Sequence, residues 1–352
     1  MRHLVCFSLL LLLLTGCRQP SAGPHRPAAF TVDTLVDVAL PRNHETDPAL
    51  DWLYAAKALV ESEHRAYGDE VCLSVAFFVQ ALLSEQAAER YYQGKECSIG
   101  LTGMAPTLLR LLRTQGALLQ SAYHTDSLFR FLPLCREVEQ KADACRQQRK
   151  GADQLLQATG RLMEERIGPL PQSVFMLGCQ YTPLEFGHSV CREGEYLPLT
   201  SLAQYPFGQE VVLPLQQNRY RDVFLNVPLD TLTAIVAGAL RSGHTVCWEG
   251  HTGGEAPETT TAASGVTQAV RQKAVDRFET PLDKALLLVG IAHDGAGHRF
   301  FIAKDLVSGQ SAYLSEDFFR LNTVAVTVAA SCVPLQARRP ARNDIFILPD
   351  SI

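Results

Sequence analysis

The apolar residues change their spacing once along this chain, and that single change limits the folds open to it. From residue 48 to about 167 they recur at helical intervals, with helices expected at 48–63 and 71–90 and a block from 103 to 167 that contains Leu108, Leu111, Leu112, Leu118, Leu155 and Leu162. After Gly168-Pro169 the pattern becomes short β-rich runs at 209–214, 244–249, 285–292, 299–304 and 322–330. One further helix opens at Val227-Pro228-Leu229-Asp230, with proline near its start, and runs to about Leu240. Helices that precede strands rather than alternate with them predict an α+β fold of two lobes, helical first and β-rich second. The sequence has no internal repeat, and Gly253-Gly254 reads as a turn rather than a phosphate loop.

The first residues suggest an address. Arg2 and His3 precede an apolar stretch with leucine at positions 9 to 14, closing on Leu14-Thr15-Gly16-Cys17. That stretch falls short of the roughly 20 residues that span a bilayer, and small residues before a cysteine suit a signal peptidase. A lipoprotein signal over 1–16 is expected, with lipid on Cys17. Residues 17–47 form an N-terminal extension whose first part is rich in proline and small residues and reads as a tether. The expected location is the bacterial cell envelope, anchored to a membrane through Cys17. The folded part then covers 48–335, with a helical insertion at about 90–170 and a C-terminal tail at 336–352.

A net charge of -5 over 352 residues, with no basic stripe, gives no electrostatic reason to expect nucleic acid. Of ten cysteines, eight lie beyond the leader. An exported chain is expected to bond some of them, with Cys135–Cys145 and Cys179–Cys191 as close pairs, although sequence does not fix the connectivity. No pair has Cys-x-x-Cys spacing and the histidines are scattered, so neither a metal nor another cofactor is expected.

Several motifs, in order, carry a family resemblance. Cys72 is followed by Leu-Ser-Val-Ala-Phe-Phe and then Leu83-Ser84-Glu85. Later come Tyr181-Thr182-Pro183, Tyr205-Pro206-Phe207, Asn226-Val227-Pro228-Leu229-Asp230 and His244-Thr245-Val246-Cys247-Trp248-Glu249-Gly250. The run from Leu282 to Asp305 closes the series. Together they resemble the papain superfamily of cysteine peptidases, in the branch of bleomycin hydrolases and aminopeptidases C. The resemblance implies a two-lobed fold with a helical lobe, a β-barrel-like lobe and a helical insertion. It also accounts for a gap of roughly 210 positions between Cys72 and Lys284, where papain-type enzymes separate nucleophile and histidine by about 130–150.

On that resemblance Cys72 holds the nucleophile position, Lys284 the histidine position, Asp305 the asparagine position and Ala66 the position of the oxyanion glutamine. Family members carry tryptophan after the nucleophile, where this chain has Leu73. A thiol peptidase needs an imidazole to pair with the thiolate and to protonate the leaving amine. An ammonium with an ordinary pKa near 10.4 shuttles protons poorly at neutral pH, and a facing carboxylate keeps it charged. Lys284 with Asp305 therefore reads as an ion pair in an abandoned site. The expected activity is binding of a peptide or protein ligand in the interlobe cleft; Asp283 and Glu249 are candidates to hold its amino terminus. The alternative is an active aminopeptidase with Cys72 as nucleophile. His64, His244, His293, His298 and Trp248 read as local, surface or core residues, and the oligomeric state is not legible.

Overall fold

The computed structural model describes residues 30–36, 47–176, 178–253, 259–260, 265–335 and 337. Among these the chain begins with β1 (Thr31–Leu35) and continues through five helices: α1 (Asp51–Ala66), α2 (Val75–Gln93), α3 (Ala105–Thr114), α4 (Phe131–Gln147) and α5 (Ala152–Ile167). A hairpin of β2 (Val174–Met176) and β3 (Cys179–Tyr181) leads to α6 (Pro183–Val190), then β4 (Tyr196–Thr200), β5 (Glu210–Val212), β6 (Val223–Asn226), α7 (Leu229–Arg241) and β7 (Val246–Gly250). The chain ends with β8 (Thr259–Thr260), α8 (Gln268–Asp276), β9 (Lys284–His293), β10 (Arg299–Lys304), β11 (Ser311–Ser315), α9 (Glu316–Asn322) and β12 (Thr323–Ala329). The fold is α+β, as the order of periodicities requires.

One mixed sheet runs in the order β5-β6-β4-β12-β7-β9-β10-β11-β8, and β1 adds to β9. β9 is its axis. Ala285, Leu287 and Val289 face the core beneath the helices, while Leu286 and Leu288 face a second core under α7 and α9. Burial on both faces explains why this strand is continuously apolar instead of alternating. The first half of one edge pairs with β7, from Gly250↔Lys284 to Val246↔Leu288, and the second half pairs with β1, from Leu35↔Gly290 to Thr31↔His293. Gly290 is required at the junction, because a Cβ there would lie 2.3 Å from the Thr34 carbonyl oxygen.

α1 is buried without interruption from Trp52 to Ser62. It packs against β9 and β7 on one side and α3 on the other. It runs antiparallel to β7: Asp51 accepts from the Ala285 amide at one end (3.0 Å), and Ser62 Oγ meets Thr245 Oγ1 at the other (2.6 Å). α2, by contrast, belongs to the helical block with α4 and α5. Arg90 ties α2 to α4 through a two-pronged contact with Asp143 (2.8 Å for each bond) and a third to Glu139 at 2.7 Å.

Two expectations change. The second helix starts at Val75, not at Cys72, because Ser74 caps it by accepting from the Phe77 amide at 3.1 Å. The folded part also starts before residue 48, since residues 31–35 supply a strand of the sheet. Residues 1–16, expected to be a lipoprotein signal, and Cys17 lie outside the described residues, as does most of the stretch 336–352. Among the described residues no helix is long and apolar enough to cross a membrane.

Candidate active site

The site gathers at the N-terminal end of α1. Asp47 caps a short turn, Pro48–Leu50, that runs directly into the helix. Asp51 opens α1, with its carboxylate accepting from the Trp52 amide at 2.7 Å and from the Ala285 amide at 3.0 Å. Next to Ala285 stands Lys284, whose ammonium lies 3.1 Å from Asp305 Oδ2. Asp305 follows β10 and is itself held by the Val307 amide and the Ser308 hydroxyl, both at 2.9 Å. The structure thus brings Lys284 and Asp305 together, and it adds Asp51 to them.

These groups titrate apart. Burial raises Asp51, assisted by the Asp305 charge, and the two amides and Lys284 offset it only in part. Burial works in the same direction on Asp305, but there the Val307 amide, Lys284 and Ser308 outweigh it and hold the carboxyl below its ordinary value. A third acid, Glu249 on β7, is wholly buried; burial, with a contribution from Asp51, pushes its pKa up to about 8. Glu249 accepts from the Ala105 amide at 2.9 Å through one oxygen, while the other is buried with no hydrogen-bond partner. At neutral pH it is a neutral acid.

Asp51, Glu249, Asp283 and Lys284 line a cavity of about 190 Å³ with Trp52, Gly103 and Gln217. Trp52 forms one wall, its indole N–H donating to the Leu101 carbonyl at 2.7 Å. Gly103 lies against that ring so closely that a Cβ would come within 2.6 Å of it. Neither cysteine nor histidine is among the described residues of this lining.

Cys72 lies elsewhere. The amide of its neighbour Leu73 donates to Glu61 at 2.6 Å, ten residues along α1 from Asp51. At a rise of about 1.5 Å per residue, that puts roughly 15 Å of helix between the Cys72 loop and Lys284. Ala66 is the last residue of α1, still farther from the cavity, and has no place beside an oxyanion there. The position six residues before Asp51 is Glu45, outside the described residues. The eight described cysteines form no disulfide. Cys135 and Cys145 sit on one helix, α4, ten residues and roughly 15 Å apart, far beyond a disulfide's reach.

No protein-family model and no curated protein matches the sequence. The architecture does match: PepW from Lactobacillus rhamnosis HN001 superposes with a TM-score of 0.66 at 14% identity, over 88% of this chain and 84% of that one. This is a papain-like cysteine peptidase fold. Xylellain, a cysteine protease from Xylella fastidiosa, aligns over 85% of this chain and 86% of its own with a TM-score of 0.35 and 10% identity, too loose a likeness to locate residues.

Asp51-Trp52, not Cys72-Leu73, stands at the head of the helix buried against the sheet, beside Lys284 and Asp305. The tryptophan was the available signal. The residue before it is not a thiol, whereas Cys72 precedes a helical run of its own. Of the histidines, His64 Nε2 meets the Val190 carbonyl at 2.6 Å, His244 meets Glu63 at 2.8 Å, and His298 meets Asp294 at 2.9 Å in the β9–β10 turn. His293 lies 2.9 Å from Asp33 at the far end of β9. Trp248 is core, donating to Thr323 Oγ1 at 2.8 Å.

Proposed function

We propose that this chain is a papain-fold protein, anchored to a membrane of the bacterial cell envelope through Cys17, that binds a peptide or protein segment in the cleft at the head of α1 without cleaving it by thiol chemistry. The observation that carries this reading is the composition of the site: Asp51, Lys284 and Asp305 stand together where thiol, imidazole and amide would be needed. A carboxylate that attacked a peptide carbonyl would give a tetrahedral adduct from which the carboxylate leaves far more readily than the amine, so the adduct collapses back to the intact peptide and no acyl-enzyme forms. Lys284 is committed to its ion pair with Asp305 at 3.1 Å and is not aimed at a thiol. Asp283 on the cavity wall, held by the Thr252 and Gly253 amides (2.8 and 3.0 Å) and 2.7 Å from His251 Nδ1, presents a fixed carboxylate to a ligand's amino group. The placement of Cys72 beside Glu61 weighs against the rival, an aminopeptidase using that thiol.

The test is hydrolysis of aminoacyl and dipeptidyl fluorogenic substrates by the reduced protein beside its Cys72→Ala and Asp51→Ala variants. No turnover by any of the three is expected, with peptides from the same panel binding the wild type in equilibrium titrations. Turnover abolished by Cys72→Ala would overturn the reading. For the anchor, metabolic incorporation of a labelled fatty acid is expected in the wild type and lost in Cys17→Ser; equal labelling of both would refute it.

A further inference from the structure

A larger cavity, about 510 Å³, lies beside the cleft and shares Gln217 and Leu282 with it. Its wall is chiefly apolar, formed by Leu202, Leu213, Pro214, Val275, Pro281 and Val324. Arg271 of α8 is also in this wall and is 1% exposed. Its Nε donates to the Ser201 carbonyl at 2.8 Å and its Nη1 to the carbonyls of Arg320 (3.2 Å) and Leu321 (3.4 Å). Nη2 is buried with no acceptor, and none of the described carboxylates pairs with the guanidinium. Asp276, also on the wall, is exposed and bonded by Gln272 at 2.8 Å. A buried cation without a counter-charge is costly, and burial alone lowers Arg271 to about 10.

The rim carries an independent oddity. α8 ends in a Schellman turn: the Phe278 amide donates to the Val275 carbonyl and the Glu279 amide to the Ala274 carbonyl, both at 3.0 Å. The residue after the cap must then be left-handed, a position glycine normally takes, and here Phe278 takes it with φ 58. Its ring is 89% exposed and borders the same cavity. Backbone strain and an exposed aromatic are both accepted at the mouth of an apolar chamber.

We infer that this cavity is a second binding site, for a small organic acid with one carboxylate and an apolar body, the carboxylate answering Arg271 and the body lying under Phe278. Two sources share that chemistry, a free aryl- or alkyl-carboxylic acid and the C-terminus of a peptide ending in an apolar residue. Calorimetric titration of the full mature chain in nanodiscs, corrected with empty nanodiscs, separates them. The probes are 4-phenylbutanoate and its amide, and N-acetyl-Ala-Phe and its C-terminal amide.

At least one acid binds saturably, at least tenfold tighter than its own amide. Preference for phenylbutanoate identifies the free acid, and preference for the dipeptide identifies a peptide terminus. Phe278→Gly weakens that acid at least fivefold while the melting temperature holds or rises, because glycine suits the turn. Arg271→Gln removes the preference for acid over amide. No saturable binding of either acid, equal affinity for acid and amide, or unchanged affinity in Phe278→Gly overturns the proposal.

Discussion

Glu249→Gln should remove the pH dependence of stability that Glu249 imposes. The folded protein holds this acid at about 8 against an ordinary value of 4.5. It is wholly buried, with one oxygen unpartnered and Asp51 near. Between those two values the folded state keeps a proton that the unfolded state has released, so stability falls as pH rises. The Glu249 contribution is complete below about pH 4.5, declines by about 1.4 kcal/mol per pH unit, and is gone above about pH 8, a total of about 5 kcal/mol. Glutamine mimics the protonated acid in shape and keeps the acceptor for the Ala105 amide, so its own stability carries none of this term. Chemical denaturation of both proteins from pH 5 to 9 gives the difference directly. The variant should gain on the wild type steadily up to about pH 8 and then stay level. A flat difference, or one that shrinks with rising pH, would refute the assignment of Glu249 as a buried neutral acid.

Lys284→Met leaves the Asp305 carboxylate without its cation in a largely buried place and should cost about 3 kcal/mol of unfolding free energy, the lower end for a broken buried pair because Val307 and Ser308 still hold Asp305. Adding Asp305→Leu should recover most of that loss, and a double variant no better than the single would show that the pair is not coupled. Gly103→Ala forces a methyl against the Trp52 ring and should cost roughly 1–3 kcal/mol, read as a lower thermal midpoint. An unchanged midpoint would show that the ring yields freely.

The sequence was most readable where one physical constraint acted alone. β9 could be found as a strand because burial on both faces makes it a continuous apolar run, and the hairpin turn at Asp294–Gly297 follows from its glycines. Lys284 and Asp305 could be paired because Lys284 opens β9 and Asp305 follows β10, adjacent strands of one hairpin. The head of the site is not legible in the sequence because two helices, α1 and α2, have similar apolar content, and only tertiary packing distinguishes the one buried between sheet and helix from the one in the helical block. Cys72 shortly before α2 has the look of a nucleophile at a helix start, although Ser74, not Cys72, caps that helix. The Arg271 cavity had no sequence signature at all, since it joins residues from β4 to β12 that lie far apart along the chain.

The pairing of β1 with β9 has a geometric consequence. The described fold begins opposite His293, and Lys284 lies nine residues back along the same strand, about 30 Å away at roughly 3.3 Å per residue. The chain thus enters at one pole and the cleft opens near the other. If residues 17–30 hang the protein from a bilayer, the cleft looks outward from the lipid. Lengthening that leash would then change how far the mouth stands off the surface and leave its accessibility to soluble partners the same.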